Sequence, residues 1–254
     1  MRIASLSPAA TEILFAIGAG KDVVCVDQFS DTPADVLKLP HLKDHQRIDE
    51  DALAEFKPEI VFTGTLVQAK LAEQLKASQR YAVIHQDPRS IGDIQESIRA
   101  IGLLLGKEKE AGEVVMQMHN GFADVRKKAK LLGAKPKVYV EEWHNPPMVS
   151  GNWVPEIVAL AGGTPLSLPP RSPSREVSLT EIQEFDPDLV VLSICGAGRF
   201  AEKKLLLERA GWNELRAARS NNVFVIDDSL LNRPGPRLVE GAQRLYGWMF
   251  QALH

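Results

Sequence analysis

Along this chain, short and almost continuous apolar runs alternate with segments whose apolar positions recur every three or four residues. In the first half the runs are Arg2 to Leu6, Val23 to Val26, Ile60 to Thr63 and Tyr81 to His85, with a helix expected from about Ala9. Runs of this length read as strands buried on both faces, and their alternation with helices predicts an α/β fold. The pattern restarts in the second half with "KVYVEEW" (137 to 143), "DLVVLSI" (188 to 194) and "NVFVIDD" (222 to 228). Two α/β lobes are predicted.

An internal comparison supports the duplication. "EFKPEIVF" (55 to 62) matches "EFDPDLVV" (184 to 191), each giving a helix end, a turn at a proline and an acid, and a buried strand. "TEILFAIGAG" (11 to 20) likewise matches "PEIVALAGG" (155 to 163), which places Glu12 and Glu156 at equivalent first-turn positions, where a carboxylate favours the positive helix end. Between the lobes, Ala111, Val114, Val115, Met118, Phe122, Val125 and Ala129 form one helical stripe. A helix from Lys107 to Leu132 would be about 39 Å long, a stiff rod that disfavours large closure motions. The expected organisation is an N-terminal lobe over 1–105, a connecting backbone helix over 106–133 and a C-terminal lobe over 134–254, with a ligand cleft between the lobes if they face each other.

Composition narrows the function classes. With 44% hydrophobic and 25% charged residues among 254, the chain can bury a sizeable core. A net charge of -3 offers no basic field for nucleic acid or anionic lipid. Cys25 and Cys195 end apolar runs and supply neither a disulfide framework nor a paired-cysteine metal site. No apolar run is long enough to enter a membrane, and Ser5, Ser7, Thr11 and Glu12 interrupt what would be the core of a secretion signal. The chain as written is expected in the cytoplasm as a monomer, or in the periplasm or at the cell surface where a leader has been removed.

In open α/β lobes, ligands gather at the carboxyl ends of strands and the amino ends of the helices that follow. The corresponding loops carry Ser7, Pro8, Phe29, Thr65 and His85 in the first lobe. In the second they carry Trp143, Asn145, Trp153, Arg199, Asn232 and Arg233. Each tryptophan admits two readings, since an amphipathic ring on a stiff loop suits a ligand, while Trp153 also fits a staple ahead of the helix near Pro155 and Trp143 fits a strand cap. Trp212 and Trp248, among apolar helical neighbours, read as structural. His85, His144, Asn145 and Asn232 suit either ligand contact or loop hydrogen bonds. Arg233 and Arg237 bracket a rigid turn suited to a carboxylate or phosphate edge, or to a salt bridge. His41 and His45 have metal-ligand spacing, but Pro40 breaks the segment and no glutamate lies between them. "GAGRFA" (196 to 201) follows a strand and fits a dinucleotide fingerprint, yet the acid expected further on is replaced by "RAAR" (216 to 219). No hydrolase, metalloprotease or paired-carboxylate motif appears, so no catalytic residue is assigned.

The segments "RIASLSPAATEILFAIGAGKDVVCVDQFSDTP", "LAEFKPEIVFTG", "PRSIGDIQESIRAIGLLLGKEKEA", "GNWVPEIVALAGG" and "FDPDLVVLS", in this order, resemble the class III substrate-binding proteins of ABC importers. That group takes vitamin B12, haem and ferric siderophores, and "SLSPAATEILFAIGAG" and "WVPEIVALAGG" are most similar to its cobalamin-binding members. The resemblance implies two Rossmann-like lobes on a rigid helix, a shallow cleft for non-catalytic binding of a bulky planar metal chelate, cobalamin first with haem or a ferric siderophore as alternatives, and no intrinsic cofactor or metal. It also implies an acidic residue on each lobe that docks onto an ABC permease, offered here by Glu73 and Glu181. A cleft enzyme using His85, Asp87 or His144, and a small-metabolite sensor acting through a partner, are the rival readings.

Overall fold

The computed structural model describes all 254 residues, with the side chain of Arg199 left out. It divides into two compact units, Met1–Pro88 with Gly92–Gln117, and Arg89–Ile91 with Met118–His254.

The first unit runs β1 (Ile3–Ser5), α1 (Pro8–Ala16), β2 (Val23–Asp27), β3 (His41–Leu42), α2 (Glu50–Glu55), β4 (Ile60–Gly64), α3 (Ala69–Ala77) and β5 (Ala82–Gln86). Its five strands are parallel, in the order β3-β2-β1-β4-β5. β1 and β4 are buried along their whole length, which explains why they read as unbroken apolar runs rather than alternating ones. Asp49 caps α2 by accepting from the amides of Asp51 and Ala52 at 3.0 and 3.3 Å.

After α4 (Ile91–Leu104) comes α5 (Glu108–Ala129), one continuous helix of 22 residues, about 33 Å long. Ala111, Val114, Val115, Met118, Phe122 and Val125 are buried, as the stripe requires. Glu108 and Glu110 in the first turn and Arg126 to Lys128 in the last complement the helix dipole. The helix stops three residues before the expected Leu132, because the amides of Leu131 and Leu132 tighten onto Lys128 and Ala129 and the chain then turns at Gly133 with φ +71°. Packing divides α5 itself between the units, at Gln117 and Met118.

The second unit continues with β6 (Lys137–His144), β7 (Pro147–Val149), α6 (Val154–Leu160), β8 (Thr164–Pro165), β9 (Arg175–Glu176), α7 (Leu179–Phe185), β10 (Leu189–Leu192), α8 (Lys204–Leu207), α9 (Arg216–Arg219), β11 (Val223–Val225) and α10 (Leu238–Leu253). The sheet order is β11-β10-β6-β7-β9, with β8 also on β6. Residues 143–149, expected as open loop, are instead a hairpin: Trp143 pairs with Met148 and His144 with Pro147 around a turn at Asn145 and Pro146. Trp212 lies in the core with the Arg209 guanidinium 4.0 Å above its ring, and Trp248 stacks on Phe224 at 4.9 Å.

The equivalence of Glu12 and Glu156 does not hold. Glu156 lies in the first turn of α6, but α1 starts earlier relative to its glutamate and has no acid in its first turn. The Glu156 carboxylate accepts from the amide of Ile91 at 3.1 Å, and so caps the start of α4. Arg89 adds a bond to Asn152 at 2.9 Å, and Arg171 one to Ser90 at 3.3 Å, which together tie residues 89 to 91 into the second unit.

Candidate functional site: two strand-end rims

The strand order of the first unit reverses between β1 and β4, which is where open α/β sheets form a ligand crevice outside the strands' carboxyl ends. Ser7 follows β1 and is buried, and its Oγ stands 2.8 Å from where a Cβ on Gly64 would lie, so a larger residue at the end of β4 would force the Ser7 hydroxyl to move. Ser7 occupies the N-cap position of α1 without a side-chain cap, while Pro8 opens the helix. Thr65 has φ +60°, a strained conformation for a β-branched residue. Its amide is held by the Gln86 carbonyl at 2.7 Å, and the turn that follows exposes Leu66 and Val67.

Beside this crevice, at the end of β2, Phe29 is 44% exposed and meets His45 edge-on at 5.3 Å. The His45 Nδ1 lies 3.6 Å from a carboxylate oxygen of Asp27, which is completely buried. Asp27 also accepts from Ser30 Oγ at 2.5 Å, and a hydroxyl chain runs on from Ser30 to Thr11 at 2.9 Å and to Ser5 at 2.7 Å. His45 thus stands between the exposed Phe29 ring and a buried carboxylate. His41 is not its metal partner: its two ring nitrogens face the carbonyls of Asp27 and Val36. Among the described residues no group of three or more His, Cys, Asp or Glu side chains could hold a metal. His85, the penultimate residue of β5, has Nδ1 3.0 Å from Thr63 Oγ1, and burial holds its pKa below the ordinary imidazole value.

In the second unit Trp143 is 41% exposed, its Nε1 donating to the Asn145 carbonyl at 2.9 Å and its ring 5.7 Å from that of His144. Asn145 is exposed beside it. Trp153 departs from the ligand-contact expectation: it is 3% exposed, and its Nε1 donates to the Leu231 carbonyl at 2.7 Å, so the ring is a core residue. Asn232 is likewise engaged internally, donating to the Ser193 carbonyl at 2.7 Å and to Cys195 Sγ at 3.1 Å while accepting from Ser193 Oγ at 2.9 Å. Arg233 is half-buried and its charge opposes the rise of the Asp228 carboxyl pKa.

The glycine-rich turn that fits a dinucleotide fingerprint has an internal partner. Gly196 and Gly198 donate their amides to the Asp228 carboxylate at 3.0 and 2.8 Å, so the anion in this nest is the chain's own. Burial nevertheless pushes the Asp228 carboxyl above its usual range. The turn carries Phe200, 78% exposed, while the side chain of Arg199 lies outside the described residues. Glu73 is exposed on α3. Glu181, by contrast, is held by both terminal nitrogens of Arg175, at 3.0 and 2.5 Å, which lowers its carboxyl pKa.

Two α/β units that share one long helix, α5, are the architecture of substrate-binding proteins with a helical backbone. Residues 3–230 match the family described as periplasmic binding protein, and the chain belongs to that family, in its class III. It is a substrate-binding protein of the ABC-importer type. Over 96% of its length it is 27% identical to the uncharacterized ABC transporter substrate-binding lipoprotein YvrC of Bacillus subtilis, of which it covers 78%. It is 23% identical to the vitamin B12-binding protein of Vibrio cholerae, over 96% of this chain and 87% of that one. Its fold superposes on the periplasmic heme-binding protein RhuT of Roseiflexus sp. RS-1 with a TM-score of 0.86, at 23% identity, covering 100% and 99% of the two chains.

Proposed function

We propose that this protein reversibly captures a bulky metal tetrapyrrole, a corrinoid first, and hands it to an ABC permease without transforming it. The observation that carries the reading is the half-exposed Phe29 ring seated on His45 at the end of β2. Exposed Trp143 and Phe200 supply comparable apolar faces in the other unit. Each ring packed against a planar ligand contributes about 0.5–1.5 kcal/mol beyond area burial. A vitamin B12-binding relative and a heme-binding structural neighbour support the tetrapyrrole class. We place the protein outside the cytoplasm, on the strength of its lipoprotein and periplasmic relatives, with exposed Glu73 and Arg175-paired Glu181 as its permease contacts.

Titration of purified protein with cyanocobalamin, haemin and NADH, followed by absorbance and calorimetry, tests the proposal. Saturable binding of cyanocobalamin or haemin, without chemical change of the ligand, is the expected result. NADH binding, or turnover of any added compound, overturns it. Haem is a second reading, favoured by His45, because an imidazole whose Nδ1 faces a buried carboxylate leaves Nε2 available to iron. On that reading the haemin complex shows a shifted Soret band that His45→Ala abolishes; an unchanged spectrum in the variant excludes it.

A further inference from the structure

Gln68 ends the turn after β4 and is completely buried. Its Oε1 accepts from the Gly64 amide at 2.7 Å. Its Nε2 donates to the Leu6 carbonyl at 2.5 Å and to the His45 carbonyl at 2.7 Å. One side chain therefore fastens three segments that are distant in sequence: the end of β1, the end of β4 and the loop bearing His45. The chemistry selects glutamine, because a primary amide has one acceptor oxygen and two donor hydrogens, and here all three functions are used. Glutamate would retain the acceptor and lose both donors; asparagine would be a methylene short.

The same count bears on His45. Its Nδ1 lies 3.3 Å from Gln68 Nε2, but both amide hydrogens already point at closer carbonyl oxygens. The same nitrogen lies 3.6 Å from the buried Asp27 carboxylate, so the Gln68 junction and Asp27 together border the imidazole. Gln68 also closes the turn that begins at strained Thr65 and presents Leu66 and Val67 to solvent.

We propose that Gln68 is the positioning residue of the first unit's ligand rim, holding His45 and the Thr65–Val67 turn in a preformed arrangement so that binding does not have to order them. The inference rests on the proposed function only in naming what the rim receives.

Two variants, Gln68→Met and Gln68→Glu, test it by amide hydrogen exchange and by titration with cyanocobalamin and haemin at a temperature well below the melting points of all three proteins. In Gln68→Met, exchange at Gly64 and across 43–48 is expected to rise at least tenfold while Ala4 and Val61 in the strand core keep their protection. In Gln68→Glu at neutral pH, Gly64 is expected to stay protected and 43–48 to loosen. Whichever probe binds the native protein should bind Gln68→Met at least tenfold more weakly. Unchanged exchange at Gly64 in Gln68→Met overturns the proposal. So does a rise spread evenly over the unit in step with a lower melting temperature, or an unchanged affinity. If the native protein binds neither probe, the functional reading fails while the contrast in exchange between the two variants still decides whether Gln68 fastens the rim.

Discussion

Trp143 and Trp153 belong to one short stretch of sequence and have opposite fates. Trp153→Phe is expected to destabilise the protein by about 1–3 kcal/mol, because the buried Leu231 carbonyl loses its donor. Trp143→Phe should stay within about 0.5 kcal/mol, since that ring is half-exposed and its bond to Asn145 lies at the surface. Urea unfolding measures both, and equal losses would contradict the assignment. His85 supplies a pH test. Burial lowers its folded pKa below the unfolded value of 6.5, so its contribution to stability is present above that pH and is lost as pH falls through the folded pKa. An NMR titration should place the His85 midpoint below 6.5, and a midpoint at or above 6.5 would refute the burial argument. Composition and spacing could not separate the two tryptophans, because a staple and a ligand contact use the same residue in the same place; only the partner of the indole nitrogen distinguishes them.

At the scale of elements, the two glycines in α5 make opposite predictions. A Cβ on Gly121 would stand 2.4 Å from Val239 Cγ1 of α10, while one on Gly112 meets nothing within 4 Å. Alanine improves helix propensity by about 1 kcal/mol at either site, but overpacking costs about 1–3 kcal/mol. Gly112→Ala should therefore stabilise by roughly 0.5–1 kcal/mol, with Gly121→Ala neutral to destabilising, and thermal melts that reverse this order would show that α10 does not pack on α5 as described. The helix was legible because its apolar stripe runs over many turns, and the parallel strands because burial on both faces leaves unbroken apolar runs. The hairpin at Trp143 was not legible, because Asn145, Pro146 and Pro147 carry a loop composition and β7 is only three residues long. The partner of the "GAGRFA" amides could not be foreseen, since Asp228 arrives from another strand end.

Across the whole molecule, the two lobes were readable because the pattern of strand, helix and proline-acid turn is written twice along the chain, the connecting helix from its apolar stripe, and the family from five segments that resemble it in order. The rim was readable only in part. Phe29 and Trp143 stood among the expected contacts, but the Asp27–His45 pair and the Gln68 junction are products of strand order, which brings the ends of β1, β2 and β4 together. The proposal that an aromatic surface at strand ends receives a metal tetrapyrrole is tested most directly by calorimetric titration of cyanocobalamin and of haemin into the native protein and into Phe29→Ala. One ligand should saturate the native protein at a single site, and the variant should bind it at least tenfold more weakly with an unchanged melting temperature. Failure of both ligands to saturate, or equal affinity in the two proteins, would contradict the account.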